Sequence, residues 1–306
     1  MVNPGHGKIL VIRGGAIGDF ILTLPVLAAL RQQFPTAQIE VLGYPHIVSL
    51  AVTGGLAHRA RSIEAQALAG FFARDGNLNA GLADYFSEFD LILSYLYDPD
   101  EIFQTNIERC SPARFIAGPH RPTEDEGIPA AKVFLKPLER LAIFDADCIP
   151  RLSVSVAGSK QNRLALHPGS GSERKNWPEA KWAELLQELV SRTELELLLV
   201  GGEAEGERLQ RLAAALPPAR VSVAQSLPLP KLAVSLCSCC VFIGHDSGIS
   251  HLAAALGLRG LLLWSDTVEA VWRPPGDKMV ILRHPRGLHQ LETDEVMRHL
   301  KPLLEA

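Results

Sequence analysis

Short apolar runs rich in Ile, Val and Leu alternate with helix-patterned stretches along this 306-residue chain, and the alternation starts twice. In the first series, strands are predicted at 9–12, 39–42, 91–93 and 114–117, and helices at 20–34, 47–52, 100–108 and 130–144. The small, polar segment 156–163 interrupts it. Strands at 164–166, 195–200, 220–223, 241–243 and 261–263 then alternate with helices at 179–191, 203–216, 228–236 and 248–256. Strands apolar at every position belong to parallel sheets covered on both faces by helices. The expected class is therefore α/β, with two doubly wound, Rossmann-like domains spanning 1–157 and 158–306. Facing one another, they would place their strand-end loops around an interdomain cleft, where such sheets bind ligands. The pattern leaves open whether a last helix at 293–304 packs on its own half or returns to the first.

Composition narrows the function classes. A formal charge of −4 argues against a nucleic-acid binder, which needs a basic face to neutralise phosphates. Five cysteines, three of them at Cys237, Cys239 and Cys240 on an apolar segment, fit buried thiols in a reducing compartment better than a disulfide framework. They lack the polar turn and fourth ligand of a zinc site. The N-terminus has no signal-peptide pattern and no run reaches the ~18 apolar residues of a spanning helix, so a cytosolic protein is expected.

Three strand-to-helix junctions carry the chemistry. The first strand is followed by Arg13-Gly14-Gly15-Ala16-Ile17-Gly18-Asp19. This fits a dinucleotide fingerprint poorly, because the second strand ends at Leu42-Gly43-Tyr44-Pro45 without the acid that would hold a ribose. Asp19, near a helix N-terminus, reads equally as an ionised base and as a cap, although Leu22 stands where a capping box would want Glu or Gln. The second junction, His167-Pro168-Gly169-Ser170-Gly171-Ser172-Glu173-Arg174-Lys175-Asn176-Trp177-Pro178, reads as a phosphate-handling turn, with Lys175 as its cation and Ser170 as a hydroxyl donor. The third runs His245-Asp246-Ser247-Gly248-Ile249-Ser250-His251. Here Ser247 and Gly248 would expose helix N-terminal donors, while Asp246 is either an N-cap or an acceptor for sugar hydroxyls. His245 and His251 read first as structural. Glu203, after Gly201-Gly202, could meet a ribose diol or simply favour a helix N-terminus. Two anion-binding turns in one half imply a diphosphate.

With those residues in hand, the chain resembles glycosyltransferase family 9, the ADP-heptose:lipopolysaccharide heptosyltransferase group. The resemblance spans most of the chain. It is carried by Lys8-Ile9-Leu10-Val11-Ile12-Arg13 with Gly18-Asp19 and Thr23-Leu24-Pro25, by His167-Pro168-Gly169-Ser170 with Lys175-Asn176-Trp177-Pro178, and by Asp246-Ser247-Gly248-Ile249-Ser250-His251-Leu252. It implies a GT-B architecture with the acceptor on the N-terminal domain and the nucleotide sugar on the C-terminal one. No metal and no cofactor beyond the nucleotide-sugar substrate are implied. Asp19 takes the place of the base, Lys175 and Ser170 of phosphate contacts, and Glu203 of the ribose contact. Asp246, Ser247 and Gly248, with His251 one turn on, form the donor turn. The implied reaction is an inverting transfer of heptose to a lipopolysaccharide-core hydroxyl. A lipid-linked acceptor would bring the enzyme to the cytosolic face of the inner membrane.

An anionic acceptor calls for basic side chains, and Arg59, Arg61 and Arg121 are the candidates, with Arg109, Arg114 and His120 as further members of such a patch; Gly18, beside Asp19, is the remaining acceptor candidate. Scattered surface charge explains these equally well. The acidic Glu124-Asp125-Glu126 would oppose such an acceptor unless it lies on a mobile loop. Two rival readings stand beside transfer: a nucleotide-sugar epimerase on the same fold, and a nucleotide-sugar or glycan binder without catalysis.

Overall fold

The structure is a computed structural model that describes residues 7–155, 162–203 and 205–305. The chain divides into two compact units, one ending at Pro150 and the other beginning at Arg151. Arg151 to Ser155 go with the second unit because the Leu152 N–H donates to the Ala255 carbonyl at 2.8 Å. The segment read as a domain boundary, 156–163, lies for its first six residues outside the described part, and Arg163 already begins a strand.

In the first unit, β1 (Lys8–Arg13), β2 (Gln38–Gly43), β3 (Arg59–Ser62), β4 (Leu91–Ser94) and β5 (Arg114–Ala117) form one sheet in the order β3-β2-β1-β4-β5. Every pairing in it is parallel. Its helices are α1 (Ile17–Gln33), α2 (Pro45–Thr53), α3 (Ala80–Ser87), α4 (Ile102–Glu108) and α5 (Ala130–Leu135). Ile9, Leu10, Val11 and Ile12 are all buried because β1 lies at the centre of the order, which is why it shows no alternation. The edge strand β3 shows the opposite: Arg-Ala-Arg-Ser is largely exposed, and so carries no apolar signal from which a strand could be predicted. The helix expected over 130–144 splits into α5 and a 3-10 turn, Lys136–Leu141, with Pro137 at the junction. Pro137 lacks the N–H that would continue the α-helical ladder.

The second unit has six strands: β6 (Arg163–Leu166), β7 (Glu196–Gly201), β8 (Val221–Gln225), β9 (Val241–His245), β10 (Arg259–Leu263) and β11 (Met279–Leu282). They are all parallel, in the order β11-β10-β9-β6-β7-β8. The helices are α6 (Glu179–Arg192), α7 (Gly206–Ala214), α8 (Leu229–Cys237), α9 (Gly248–Ala255), α10 (Glu269–Trp272) and α11 (Thr293–Glu305). Trp182, Leu185, Leu186 and Leu189 make one buried stripe along α6 at helical spacing. The position of α11 settles what the pattern left open: Val296 and Leu300 join Trp177, Trp182 and Leu263 in one core cluster, so the last helix packs on its own unit. The Trp177 indole N–H also donates to the Leu291 carbonyl at 2.9 Å.

Both orders contain a topological switch point. In the first sheet the chain leaves β1 for β2 on one side and returns to β4 on the other; in the second, β7 and β9 flank β6 in the same way. Adjacent crossovers that leave on opposite faces open a crevice beyond the strand C-termini, where α/β sheets take ligands. The turn after β1 stands at one such crevice, and the turns after β6 and β9 flank the other. The cysteines are free thiols; Cys239 is buried, which pushes its thiol up to about 11. Among the described residues no helix is long and apolar enough to cross a membrane.

Candidate functional site

At the second switch point, His167 to Pro178 loops away from β6 and is tied down by side chains from three other elements. Gly169 sits where a Cβ would come within 2.3 Å of the Glu205 side chain, and Gly171 takes a φ of +71°, so neither position accepts a larger residue without strain. The His245 Nε2, at the end of β9, accepts the Trp177 N–H at 2.8 Å, and its Nδ1 lies 3.2 Å from the Gly169 carbonyl. That pairing assigns the proton to Nδ1. One imidazole thereby clamps both ends of the loop. Burial pulls the His245 pKa down to about 4 and that of His167 to about 3, so both rings are neutral at pH 7. Arg208, from α7, donates to the Pro168 carbonyl at 3.2 Å and to both Glu173 oxygens at 2.9 Å.

Within this frame the charged pair stands out. Lys175 Nζ lies 2.7 Å from Asp246 Oδ2, and the Thr267 hydroxyl donates to the same oxygen at 2.5 Å. Asp246 is 8% exposed. The N-cap of α9 is Ser247 and not Asp246: the Ser247 Oγ accepts the Ser250 N–H at 3.3 Å and lies 3.2 Å from His167 Nδ1. Capping is therefore done by the neighbour, and the Asp246 carboxylate is left to hold the ammonium. Gly248 opens α9, whose first-turn N–H groups and dipole favour an anion. His251 is buried inside α9. The Ser170 hydroxyl lies 2.7 Å from Asn176 Oδ1 and 2.9 Å from the Ser172 carbonyl, so its one proton closes the loop.

Glu203 is exposed in the turn after β7. The helix expected from residue 203 begins at Gly206, because the Gly206 N–H closes a turn on the Glu203 carbonyl and Glu205 bends back to accept the Gly202 N–H at 2.9 Å. Glu205, Arg208 and Thr267 are the residues that sequence reasoning missed here. The spacing of Glu205 and Arg208, three apart and hence on one helix face, was the available signal for the first two. Thr267 has no motif around it.

The first switch point is simpler. Gly15, at φ +97°, bends the chain away from β1, and a Cβ there would lie 2.9 Å from Asp19 Oδ2. Ala16 is the N-cap, Gly18 falls in the first turn of α1, and Asp19 is its third residue. Its Oδ2 accepts the Ala16 N–H at 3.1 Å, the return half of a capping box. The acid of the capping box is therefore Asp19 itself, with Ala16 as the cap, and position 22 plays no part in it. Its other oxygen, Oδ1, lies 3.7 Å from Arg13 Nη2. Arg13 is almost wholly buried, donates to the His120 carbonyl at 2.8 Å and stacks 4.5 Å from the Phe134 ring centre. Burial draws its pKa below the ordinary arginine value, with Asp19 and Tyr95 acting against that.

The basic residues named for an acceptor do not gather. Arg59 pairs with Glu40 at 3.8 Å and Arg61 stacks 4.1 Å over Tyr85, on the lateral edge of the sheet. Both act on Glu88, which pairs with Lys8 at the start of β1, whereas Asp19 lies beyond its end. Arg109 donates to the Gly76 carbonyl and Asn106, and Arg114 to the Arg140 carbonyl, which are scaffold roles. Arg121 is different. It follows β5, beside the His120 carbonyl that Arg13 holds, is exposed, and pairs with Glu124 at 3.0 Å. Glu124–Glu126 forms a short 3-10 turn. Tyr97, after β4, is 71% exposed and packs its ring 4.6 Å from that of His120. No group of three or more His, Cys, Asp or Glu suited to a metal ion occurs among the described residues.

Two parallel doubly wound sheets with charged turns at their switch points define a two-domain α/β protein of the GT-B class. Residues 145–301 match glycosyltransferase family 9 (heptosyltransferase), and the chain belongs to that family. It is similar to lipopolysaccharide heptosyltransferase 3 of Escherichia coli, 22% identical over 297 residues that cover 86% of this chain and 85% of that one. Among solved structures, E. coli ADP-heptose lps heptosyltransferase II superposes with a TM-score of 0.78 at 18% identity, over 97% of this chain and 98% of that one. The E. coli heptosyltransferase WaaC with ADP-2-deoxy-2-fluoro heptose gives 0.75 at 17%, over 96% and 99%. The chain is accordingly a glycosyltransferase.

Proposed function

We propose that this enzyme moves a heptose from ADP-heptose to a hydroxyl of an acidic lipopolysaccharide-core glycan, with inversion and without a metal ion. The observation that carries the donor half is the Lys175–Asp246 pair, 2.7 Å apart beside the N-terminus of α9. A fixed ammonium and aimed backbone donors are what a departing diphosphate needs, because negative charge develops on it as the bond to the sugar breaks. Asp246 holds the ammonium in place and keeps a carboxylate for sugar hydroxyls. Ser170 turns its hydroxyl from Asn176 to a phosphate oxygen, and Glu203 meets the ribose diol. The choice of ADP and heptose rests on the relatives, whose names and bound donor analogue carry both.

In the reaction the acceptor oxygen bonds to the anomeric carbon while the bond from that carbon to the diphosphate oxygen breaks, its electron pair leaving with ADP. Asp19 takes the hydroxyl proton on Oδ1, since Oδ2 is committed to the Ala16 N–H. The acceptor's negative groups are met by Arg121 in this reading, and Arg59 and Arg61 have no part in it. Incubation with ADP-heptose and a deacylated core acceptor should release ADP in step with a glycoside of inverted anomeric configuration by NMR, unaffected by EDTA. Donor turnover without acceptor, a retained configuration or loss of activity in EDTA would each overturn the corresponding part.

A further inference from the structure

We propose that Thr267 is a positioning residue for the donor sugar: its hydroxyl holds Asp246 Oδ2, so that Oδ1 stays turned toward a sugar hydroxyl while the Lys175 ammonium serves the diphosphate. This deepens the reading of Asp246 as a sugar contact and rests on it.

The two oxygens of Asp246 are unequally occupied. Oδ2 takes both the Thr267 hydroxyl, at 2.5 Å, and Lys175 Nζ, at 2.7 Å. Oδ1 accepts no hydrogen bond among the described residues, and it is not one of the sealed, unpartnered atoms either, so a ligand hydroxyl can reach it. In a residue this deeply buried, an acceptor oxygen without a donor is costly unless a ligand supplies one.

Lys175 alone would not keep this arrangement. Its ammonium is a point charge with three donors on a flexible stem, and in the reading above it also meets phosphate oxygens. Each lean toward the diphosphate loosens its grip on Oδ2, and a carboxylate held by nothing else can rotate about Cβ–Cγ. The Thr267 hydroxyl has no such second duty. A threonine in a loop commonly bonds to its own backbone, but this one crosses to a residue 21 positions earlier. Its backbone is fixed from two sides: the Thr267 carbonyl, between β10 and α10, accepts the Trp264 indole N–H at 2.9 Å and Arg283 Nη2 at 3.0 Å. Arg283, directly after β11, also donates to the Ser265 carbonyl at 3.1 Å and pairs with Glu269 of α10 at 3.5 Å. On a backbone so anchored a β-branched side chain has few rotamers, and the one adopted puts Oγ1 on Asp246. Thr267 is thus the one of the two donors on Oδ2 that stays in place when a diphosphate claims the other.

The test is calorimetric titration of ADP and of ADP-heptose, without acceptor, into the wild type, Thr267→Val, Thr267→Ser and Asp246→Asn. Valine keeps the shape of threonine and lacks the hydroxyl. Thr267→Val should weaken ADP-heptose binding about tenfold and ADP binding by no more than about twofold, because Lys175 and the α9 N-terminus still meet the diphosphate. Thr267→Ser, which keeps the hydroxyl, should restore most of the ADP-heptose affinity. In an Asp246→Asn background the valine change should add little, since both act through the Asp246 carboxylate. Both ligands weakened alike would make Thr267 a structural residue of its loop, and neither weakened would leave it without a role; either result overturns the proposal, as does a serine variant as impaired as the valine one. Should the valine variant not fold, Thr267→Ala takes its place. An Asp246→Asn variant in which ADP-heptose and ADP keep their wild-type ratio of affinities would instead overturn the sugar contact beneath the proposal, and that variant alone tells the two failures apart.

Discussion

The turns at the two switch points are built to opposite plans. After β6 and β9, four side chains from outside the loop converge: His245 clamps both ends of the loop, Arg208 grips its start and Glu173, Asp246 holds Lys175, and Thr267 holds Asp246. After β1, one carboxylate is steadied by one backbone N–H and one distant guanidinium. The dense site is held by the protein's own hydrogen bonds and ion pairs, as befits electrostatic stabilisation of a polyanion, whose benefit depends on dipoles that need not reorganise. The sparse site keeps a lone pair open, as befits proton transfer. Altering the sparse turn is therefore expected to cost turnover and spare ADP binding, while altering the dense one costs both.

The sharpest break comes from Asp19→Asn, which keeps the shape and the capping oxygen and loses only basicity. Turnover should fall by about 10²–10⁴-fold while ADP affinity stays unchanged, measured by initial rates and calorimetry on the same preparation. Next is acid stability, which should separate the turns because only the dense one contains buried imidazoles. In the unfolded chain these protonate near 6.5, but in the native state only at about 4 for His245 and about 3 for His167. The unfolded state thus binds more protons between those values, and stability is fully present above pH 6.5 and lost as the pH falls toward 4. For His245 the loss is about 3 kcal/mol at roughly 1.4 kcal/mol per pKa unit. Urea unfolding at pH 7 and pH 5 should show the decline, and His245→Asn should show a shallower one from a lower starting point. A parallel decline in the variant would remove His245 as its source.

Lys175→Ala should weaken ADP binding about 10- to 100-fold, the worth of one charge-assisted contact to phosphate, and should also leave Asp246 buried without its cation. Smallest of all, Arg59→Ala should change neither KM for the acceptor nor ADP affinity by more than about twofold, because exposed ion pairs of this kind contribute little. A large rise in acceptor KM would move the acceptor surface to the β3 edge.

The contrast also explains what the sequence could and could not show. Central strands such as β1 and β9 were legible because burial on both faces leaves an unbroken apolar run, while β3 was invisible because an edge strand of Arg-Ala-Arg-Ser has almost no buried face. The dense turn was legible in outline, since glycines follow both strand ends, Lys175 lies in the loop after β6 and a helix starts directly after β9. Its fastenings were not, because Thr267, Glu205 and Arg208 reach the turn from other elements and only tertiary structure brings them there. At the sparse turn Asp19 is legible as an acid near a helix start, but its place in the helix is not. An alanine N-cap gives no capping signal, so the register had nothing to anchor it.

The most direct measurement is calorimetric titration of ADP into the wild type, Lys175→Ala and Asp19→Asn, with GDP and UDP as controls for the base. Asp19→Asn should bind ADP as tightly as the wild type, Lys175→Ala should bind it at least tenfold more weakly, and GDP and UDP should bind less well than ADP. Equal affinity in Lys175→Ala, or lost affinity in Asp19→Asn, would contradict the division of labour between a binding turn and a catalytic one.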